Sequence, residues 1–230
     1  AAFNFQKDRE TKRSNQALAR LVGEYESSSL RNKAMFQLAV NFKSLAIFSL
    51  SSKYFENYAK SFPDDKKSDE ALRTAAVFQE GLGKYDRAIK IYLDLVKRLE
   101  RKRGKDAKKK AAQSFFDIGR IYEEQQDWPK LIKHYTKFLR SYQRKAEKEL
   151  VIRAYAKIGK GHWAQAEGVF KDYVKRNQKG DKPIEYIRSR NFWRRFDGHA
   201  KQAKAAYERA FKDFVKAQKK KQMEKPSKLL

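Results

Sequence analysis

His134, His162 and His199 are the only imidazoles in the chain, and there is no cysteine. A helix that binds metal through histidine places a second ligand at i, i+4, and none of the three has one. Without thiols, thiolate zinc sites, disulfides and cysteine nucleophiles are excluded. Gly81 and Gly83 look like a piece of a phosphate-cradling loop, but no strand precedes them and no third glycine follows, so they read as turn glycines. The acidic pairs Glu123-Glu124 and Asp64-Asp65 fall on a helix end and a turn. Nothing in the sequence sets a second carboxylate opposite either pair for acid–base work. The expectation is a protein that is not an enzyme, with no catalytic residues, no metal and no cofactor.

Charge is the stronger chemical signal. Lysine and arginine number 55 against 28 acidic residues, a net charge of +27. Such a chain attracts polyanions: nucleic acid, anionic lipid, acidic glycans or an acidic partner protein. The alternative is a lysine-rich proteome or a crowded basic complex with no dedicated site. The densest run is Arg101, Lys102, Arg103, Lys105, Lys108, Lys109 and Lys110. Together with the tail at 216–228 it is the expected polyanion contact, against the plainer reading of a solvated charge run.

The elements that carry these residues are helical. Eight Val, ten Ile and three Thr stand against a large stock of Ala, Leu, Lys, Arg, Glu and Gln, which favours helix nearly everywhere. The longest strongly apolar stretch, Leu45–Leu50, is far short of the roughly 20 residues of a membrane span. No basic-then-apolar leader is visible at residues 1–10, as would also hold for an already processed chain.

Self-similarity organises the rest. The small residues Ala39, Ala76, Gly119 and Ala154 recur at intervals of 37, 43 and 35 positions. Nine residues after each comes an aromatic: Phe48, Tyr85, Trp128, Trp163. Twelve after come Ser51, Ala88, Leu131 and Ala166. Sixteen after come Phe55, Tyr92, Tyr135 and Phe170; nineteen after come Tyr58, Leu95, Phe138 and Tyr173. Small residues allow close helix approach, and residues three and four apart share a helix face, so each frame reads as a helical hairpin. Breaks are expected at Gly81–Tyr85, Gln125–Pro129 and Gly159–Trp163, with Asp127 as an N-cap before a first-turn proline. Ser68, followed by Asp69 and Glu70, is expected to cap another helix. The column aromatics are expected to be mostly core.

These columns resemble the tetratricopeptide repeat, best in LRTAAVFQEGLGKYDRAIKIYLDLVKRL and AAQSFFDIGRIYEEQQDWPKLIKHYTKFLRSY. Departures are Met35, Leu72, Phe115 and Leu150 at the family's early tryptophan, and Leu131 at a usually small position. The resemblance implies an all-α solenoid of about four clear helical-hairpin repeats. A capping helix or partial repeat occupies 1–32. Four repeats occupy 33–180 with a basic insertion at 101–110. A degenerate hairpin, broken near Asp197-Gly198, occupies 181–218, and a basic tail 219–230. The aromatic-rich style of GRIYEEQQDW and KYFENYAKSFP is similar to repeat proteins of the bacterial cell envelope, including those of outer-membrane assembly and gliding machinery. That likeness implies the periplasm or outer-membrane periphery, with the cytoplasm as the alternative.

The resemblance further implies that first helices line a concave binding surface. Residues three before, one after and four after each small residue then share a side. They are Phe36, Val40 and Lys43; Arg73, Val77 and Glu80; Phe116, Arg120 and Glu123; Val151, Tyr155 and Ile158. Of these, Phe36, Lys43, Arg73, Phe116, Arg120, Glu123 and Tyr155 are the expected partner contacts, a mixture suited to a peptide or extended segment. The function expected is a protein-interaction scaffold with other proteins or peptide segments, mainly acidic, as partners. The alternative is a basic helical-repeat protein that binds nucleic acid or another polyanion. Peripheral membrane association is a further option.

Overall fold

The computed structural model describes residues 2–177 and 190–219, and all regular structure among them is α-helix. The chain forms two compact units, Ala1–Lys102 and Arg103–Leu230. The first contains α1 (Ala2–Glu24), α2 (Arg31–Ser44), α3 (Phe48–Ser61), α4 (Ser68–Gly81) and α5 (Tyr85–Arg101). The second contains α6 (Lys105–Glu124), α7 (Trp128–Tyr142), α8 (Lys148–Asn177) and α9 (Arg190–Lys219).

Apolar stripes dictate the pairing. In α5 the buried residues are Ala88, Ile91, Tyr92, Leu95, Val96 and Leu99, a 3–4 spacing that leaves the opposite face charged. Asp86 in its first turn and Arg98 and Arg101 in its last complement the helix dipole. The small residues Ala39, Ala76, Gly119 and Ala154 are all buried. At Gly119 the approach is closest: a Cβ there would lie 2.3 Å from Cζ of Tyr135. Ser51 Oγ, on the packing stripe of α3, donates to the carbonyl of Ala39 at 2.7 Å.

The turns between paired helices repeat atom for atom. Seven residues after the small residue, Ala46, Gly83 and Gln126 adopt left-handed φ of 57°, 70° and 53°. The next backbone N–H reaches back five residues in each case, Ile47 to Phe42, Lys84 to Gln79 and Asp127 to Tyr122, at 2.8, 2.9 and 2.9 Å. This is the six-to-one closure of a Schellman motif. Only one of the three positions is glycine, so Ala46 and Gln126 hold a conformation costing about 1–2 kcal/mol that the surrounding turn imposes. Asp127 caps α7 as expected, accepting from the backbone N–H of Lys130 with Pro129 in the first turn.

Several expectations need correction. Ser68 is not a cap: it is the first residue of α4, and its hydroxyl donates to Ala59 O at 3.1 Å, tying α4 to α3. The basic stretch at 101–110, expected as a lengthened helix end or loop, is not among them: it is a short loop through Gly104, φ 112°, followed by an N-terminal extension of α6. The break expected at Gly159–Trp163 is absent, and α8 runs as one helix of 30 residues. Gly159 and Gly161 are there for contact: a Cβ on Gly161 would meet Ile132 Cγ1 at 2.8 Å, and one on Gly159 the Tyr207 ring at 3.0 Å. Likewise α9 passes unbroken through Asp197-Gly198. The remainder of the expected degenerate hairpin, 181–189, and the tail beyond Lys219 lie outside the described residues. Trp163 and Phe170, expected in the core, are 46% and 44% exposed.

His134 shows how tightly the α6–α7 pair closes. Its ring stacks on Phe115 with centroids 4.5 Å apart, and its Nε2–H donates to the Phe115 carbonyl at 2.8 Å. Burial pushes its pKa down to about 4, with Lys137 acting in the same direction and the hydrogen bond opposing them. The unfolded chain therefore takes up a proton between the ordinary histidine value of 6.5 and about 4 that the fold refuses. Stability is full above pH 6.5 and falls as pH drops toward 4, by about 3 kcal/mol at the limit. Urea midpoints measured from pH 7 to 4.5 should fall more steeply for the natural chain than for His134→Gln; equal slopes refute this. Two glycine substitutions separate contact from propensity. Gly119→Ala should cost roughly 1–3 kcal/mol through overpacking against Tyr135. Gly168→Ala, where a Cβ meets nothing, should gain up to about 1 kcal/mol from helix propensity. Chemical denaturation reads both.

Candidate interaction surface

In the first unit the expected contact face is carried by α2 and α4. Lys43 and Arg73 are exposed, Val77 is exposed beside Arg73 on α4, and Val40 is half-buried. Phe36 is half-buried: its ring packs edge-on against Phe55 and Tyr58 at 5.5 and 5.2 Å, with the Lys67 ammonium 4.6 Å from its centroid. Glu80 is buried and accepts from the Tyr92 hydroxyl at 3.0 Å, so it serves the α4–α5 contact. The accessible part of this face is two cations and a valine.

The second unit uses the matched positions differently. Phe116 is buried, 2% exposed, against Tyr135 and Phe138 and beneath the Arg153 guanidinium, so it offers no surface to a partner. Arg120 is half-buried and Val151 is buried. Glu123, the counterpart of Glu80, accepts from Lys157 at 2.7 Å and from Lys160 at 2.7 Å, joining α6 to α8. These hydrogen bonds hold its carboxyl below the usual range, although burial, the largest single influence, pushes the other way. Tyr155 and Ile158 are half-buried, and Tyr155 lies under the Arg209 guanidinium at 5.7 Å. Beside Glu123 opens a cleft of about 450 Å³, lined by Gln126, Trp128, Lys160, Glu167 and Lys171 among others. Its mixed charge and lone indole suit a polar segment better than an apolar ligand.

The basic run is largely at the surface. Arg101 ends α5, and Lys102 at its C-cap pairs with Asp69 at 2.5 Å. Lys109 pairs with Glu147 at 2.6 Å, which raises its pKa. Arg103, Lys105, Lys108 and Lys110 are exposed. Four lysines thus occupy the first turns of α6, with Asp106 the acid of its first turn. The helix dipole is positive there too, so cations are placed where they repel the helix end.

Sequence spacing misses three features. His162 and His199, 37 positions apart, face each other across α8 and α9 with ring centroids 6.0 Å apart. Rings of Trp163, Phe196, Trp193, Phe192 and Tyr173 join in one chain of aromatic contacts. Ser52 donates to Ala75 O at 3.0 Å and receives Gln79 Nε2 at 2.8 Å, joining α3 to α4. Among the described residues no three His, Asp or Glu side chains gather as a metal site. No described helix is long and apolar enough to cross a membrane.

Two family models match, both described as tetratricopeptide repeat, over residues 70–98 and 114–149. These are the α4–α5 and α6–α7 pairs. No curated protein matches the chain. Among solved structures, a putative kinesin light chain from Podosopora anserina with nearly identical TPR-like repeats is 10% identical, with a TM-score of 0.53 over 94% of this chain and 90% of that one. BtubC (BKLC) from P. vanneervenii is 12% identical, TM-score 0.51, over 93% of this chain and 76% of that one. A MamA protein is 13% identical, TM-score 0.51, over 96% and 92%. At these identities the likeness is one of fold. It is the all-α helical-repeat class expected from the sequence. Two of its helix pairs, α4–α5 and α6–α7, are thus tetratricopeptide repeats, and its fold is one shared with proteins built of such repeats.

Proposed function

We propose that the chain is a non-enzymatic scaffold that holds an acidic, extended segment of a partner protein against the first helices of its repeats. It does so within a larger assembly at the cell envelope, a placement that rests on the likeness of its aromatic-rich repeat style to envelope repeat proteins. The carrying observation is the α2–α4 face, where Lys43, Arg73 and Val77 stand exposed. Repeat proteins bind through such extended surfaces, since each repeat spends its other faces on its neighbours. Two cations beside an apolar contact suit an acidic peptide, with charge setting orientation and the valine adding buried area.

A second reading, contact with nucleic acid or another polyanion, is favoured by the lysines crowded at the positive end of α6. Such clustering destabilises a helix on its own and is relieved when an anion docks.

The two readings separate experimentally. Partner recovered from the native source should bind Lys43→Glu/Arg73→Glu/Val77→Asp at least about tenfold more weakly, a loss of about 1.4 kcal/mol or more. Unchanged recovery sinks the proposed face. For the polyanion reading, affinity for a single-stranded oligonucleotide should fall about a hundredfold between 50 and 200 mM salt if about five cations release counterions. A flat salt dependence removes that reading.

A further inference from the structure

The second half of α8 displays a ring that the matching helices bury. Sixteen positions after the small residue, Phe55, Tyr92 and Tyr135 are 4%, 0% and 0% exposed, whereas Phe170 is 44% exposed. Trp163 lies seven residues earlier, two turns away on the same side of the helix, and is 46% exposed. Trp193 on α9 is 44% exposed. Contiguous exposed apolar surface of this kind marks a contact site more often than an accident of packing.

The three rings are held in place from beneath. Phe192, 5% exposed, is the floor of the strip and packs against Phe170, Trp193 and Phe196 at 6.4, 5.0 and 5.7 Å. Phe196 in turn meets Trp193 at 6.0 Å and Trp163 at 6.5 Å. Trp163, Phe170 and Trp193 meet these neighbours at interplanar angles from 62° to 87°, so none of the three is stacked flat on them. The Trp163 Nε1–H donates to Glu167 at 2.8 Å, which fixes the indole and occupies its polar edge.

Cations frame the strip. Over 163–177 and 190–199, Lys171, Lys175, Arg176, Arg190, Arg194 and Arg195 are exposed, against the acids Glu167, Asp172 and Asp197. No acid among the described residues pairs with any of the six. Arg176 and Arg195, from different helices, converge with Tyr173 and Phe192 around a hollow of about 330 Å³. Lysine outnumbers arginine in the chain, yet the cations next to Trp193 in sequence are all arginine. Guanidinium grips phosphate or carboxylate with two N–H groups and lies flat against ring faces.

We propose that this strip, on the second half of α8 and the first half of α9, is a stacking platform for single-stranded nucleic acid. The occupant must bring negative charge and flat apolar surface together, and a single strand does so, with phosphates for the arginines and bases for the rings. Acidic side chains bring the charge alone. A lipid surface would have to take in Glu167 beside Trp163, and burying a carboxylate there is costly. Stacking accepts any base, so recognition is tolerant of sequence. The inference rests on the polyanion reading above and adds to it a surface that reads bases, where the α6 lysines read only phosphate.

Binding of oligothymidylate and of its abasic counterpart, with the same number of phosphates, separates the two. The full natural chain should bind oligothymidylate at least about tenfold more tightly than the abasic strand. In Trp128→Phe, which leaves Trp163 and Trp193 as the fluorophores, oligothymidylate should quench the emission and the abasic strand should not. Trp163→Ala/Phe170→Ala should remove the preference and leave abasic binding unchanged, and Trp163→Tyr should keep most of it. Equal binding of both strands by the natural chain overturns the platform and leaves the polyanion reading standing. Binding of neither strand removes both. An alanine double variant that loses both strands equally also overturns the platform, since its rings then act only on the fold. So does quenching by phosphatidylserine vesicles or polyglutamate without quenching by oligothymidylate, which would make the strip a membrane or protein contact.

Discussion

The structure depends on how near two backbones come at one point in each helix pair. Where Gly119 meets Tyr135 there is no room for a single added carbon. Where Ala39 meets α3, a serine hydroxyl bonds directly to its carbonyl. A small residue on the first helix lets a large ring on the second lie across it. That contact fixes the separation of the pair, and separation fixes which residues further along the stripe can touch. The turn follows: with the pair held this close, the chain must reverse within three residues, and a left-handed position is the geometry that does so while satisfying the last carbonyls. That Ala46 and Gln126 accept this conformation without being glycine shows that packing, not local preference, drives the turn.

Charge is subordinate to that geometry and is spent within it. Three acids at helix–helix contacts each hold two cations: Glu56 takes Lys60 and Arg87, Asp69 takes Arg98 and Lys102, Glu123 takes Lys157 and Lys160. Glu56 is nearly buried, and a buried carboxylate is tolerable only when paired. The acidic residues are the scarcer kind, so using them inside leaves the excess of lysine and arginine at the surface. The net charge is then felt mainly outside the protein, as a field that attracts negative charge and repels positive.

The helix pairs α2–α3, α4–α5 and α6–α7 were legible in the sequence because their columns report contacts within one frame, where spacing and size suffice. Asp127 with Pro129 was legible for the same reason, since a cap is local. What lies between frames was not. Nothing in the spacing says that Ser52 would bond Ala75, that Glu123 would gather two lysines from α8, or that His162 would face His199. The expected contact face suffered likewise: Phe116 matches Phe36 in register, yet it is sealed in by Tyr135, Phe138 and Arg153 while Phe36 is only half covered. Burial at a given register depends on the neighbours' side chains, which a repeat column does not encode.

The reading of α8 failed for a more instructive reason. A glycine serves equally as a left-handed hinge and as a place for another side chain to come close, and the sequence does not distinguish the two. In α8 contact prevails, because Ile132 and Leu131 crowd Gly161 and Tyr207 crowds Gly159. Repeat folds gain stability from each unit and its neighbour, one interface at a time. At an internal frame the next helix in sequence is also the next helix in space, so the choice is forced. Frame four differs because α9, as long as α8, packs along the side of it that carries Ile152 and Gly159. Which interface forms there is set by the side chains that α9 presents, and a repeat column does not record them.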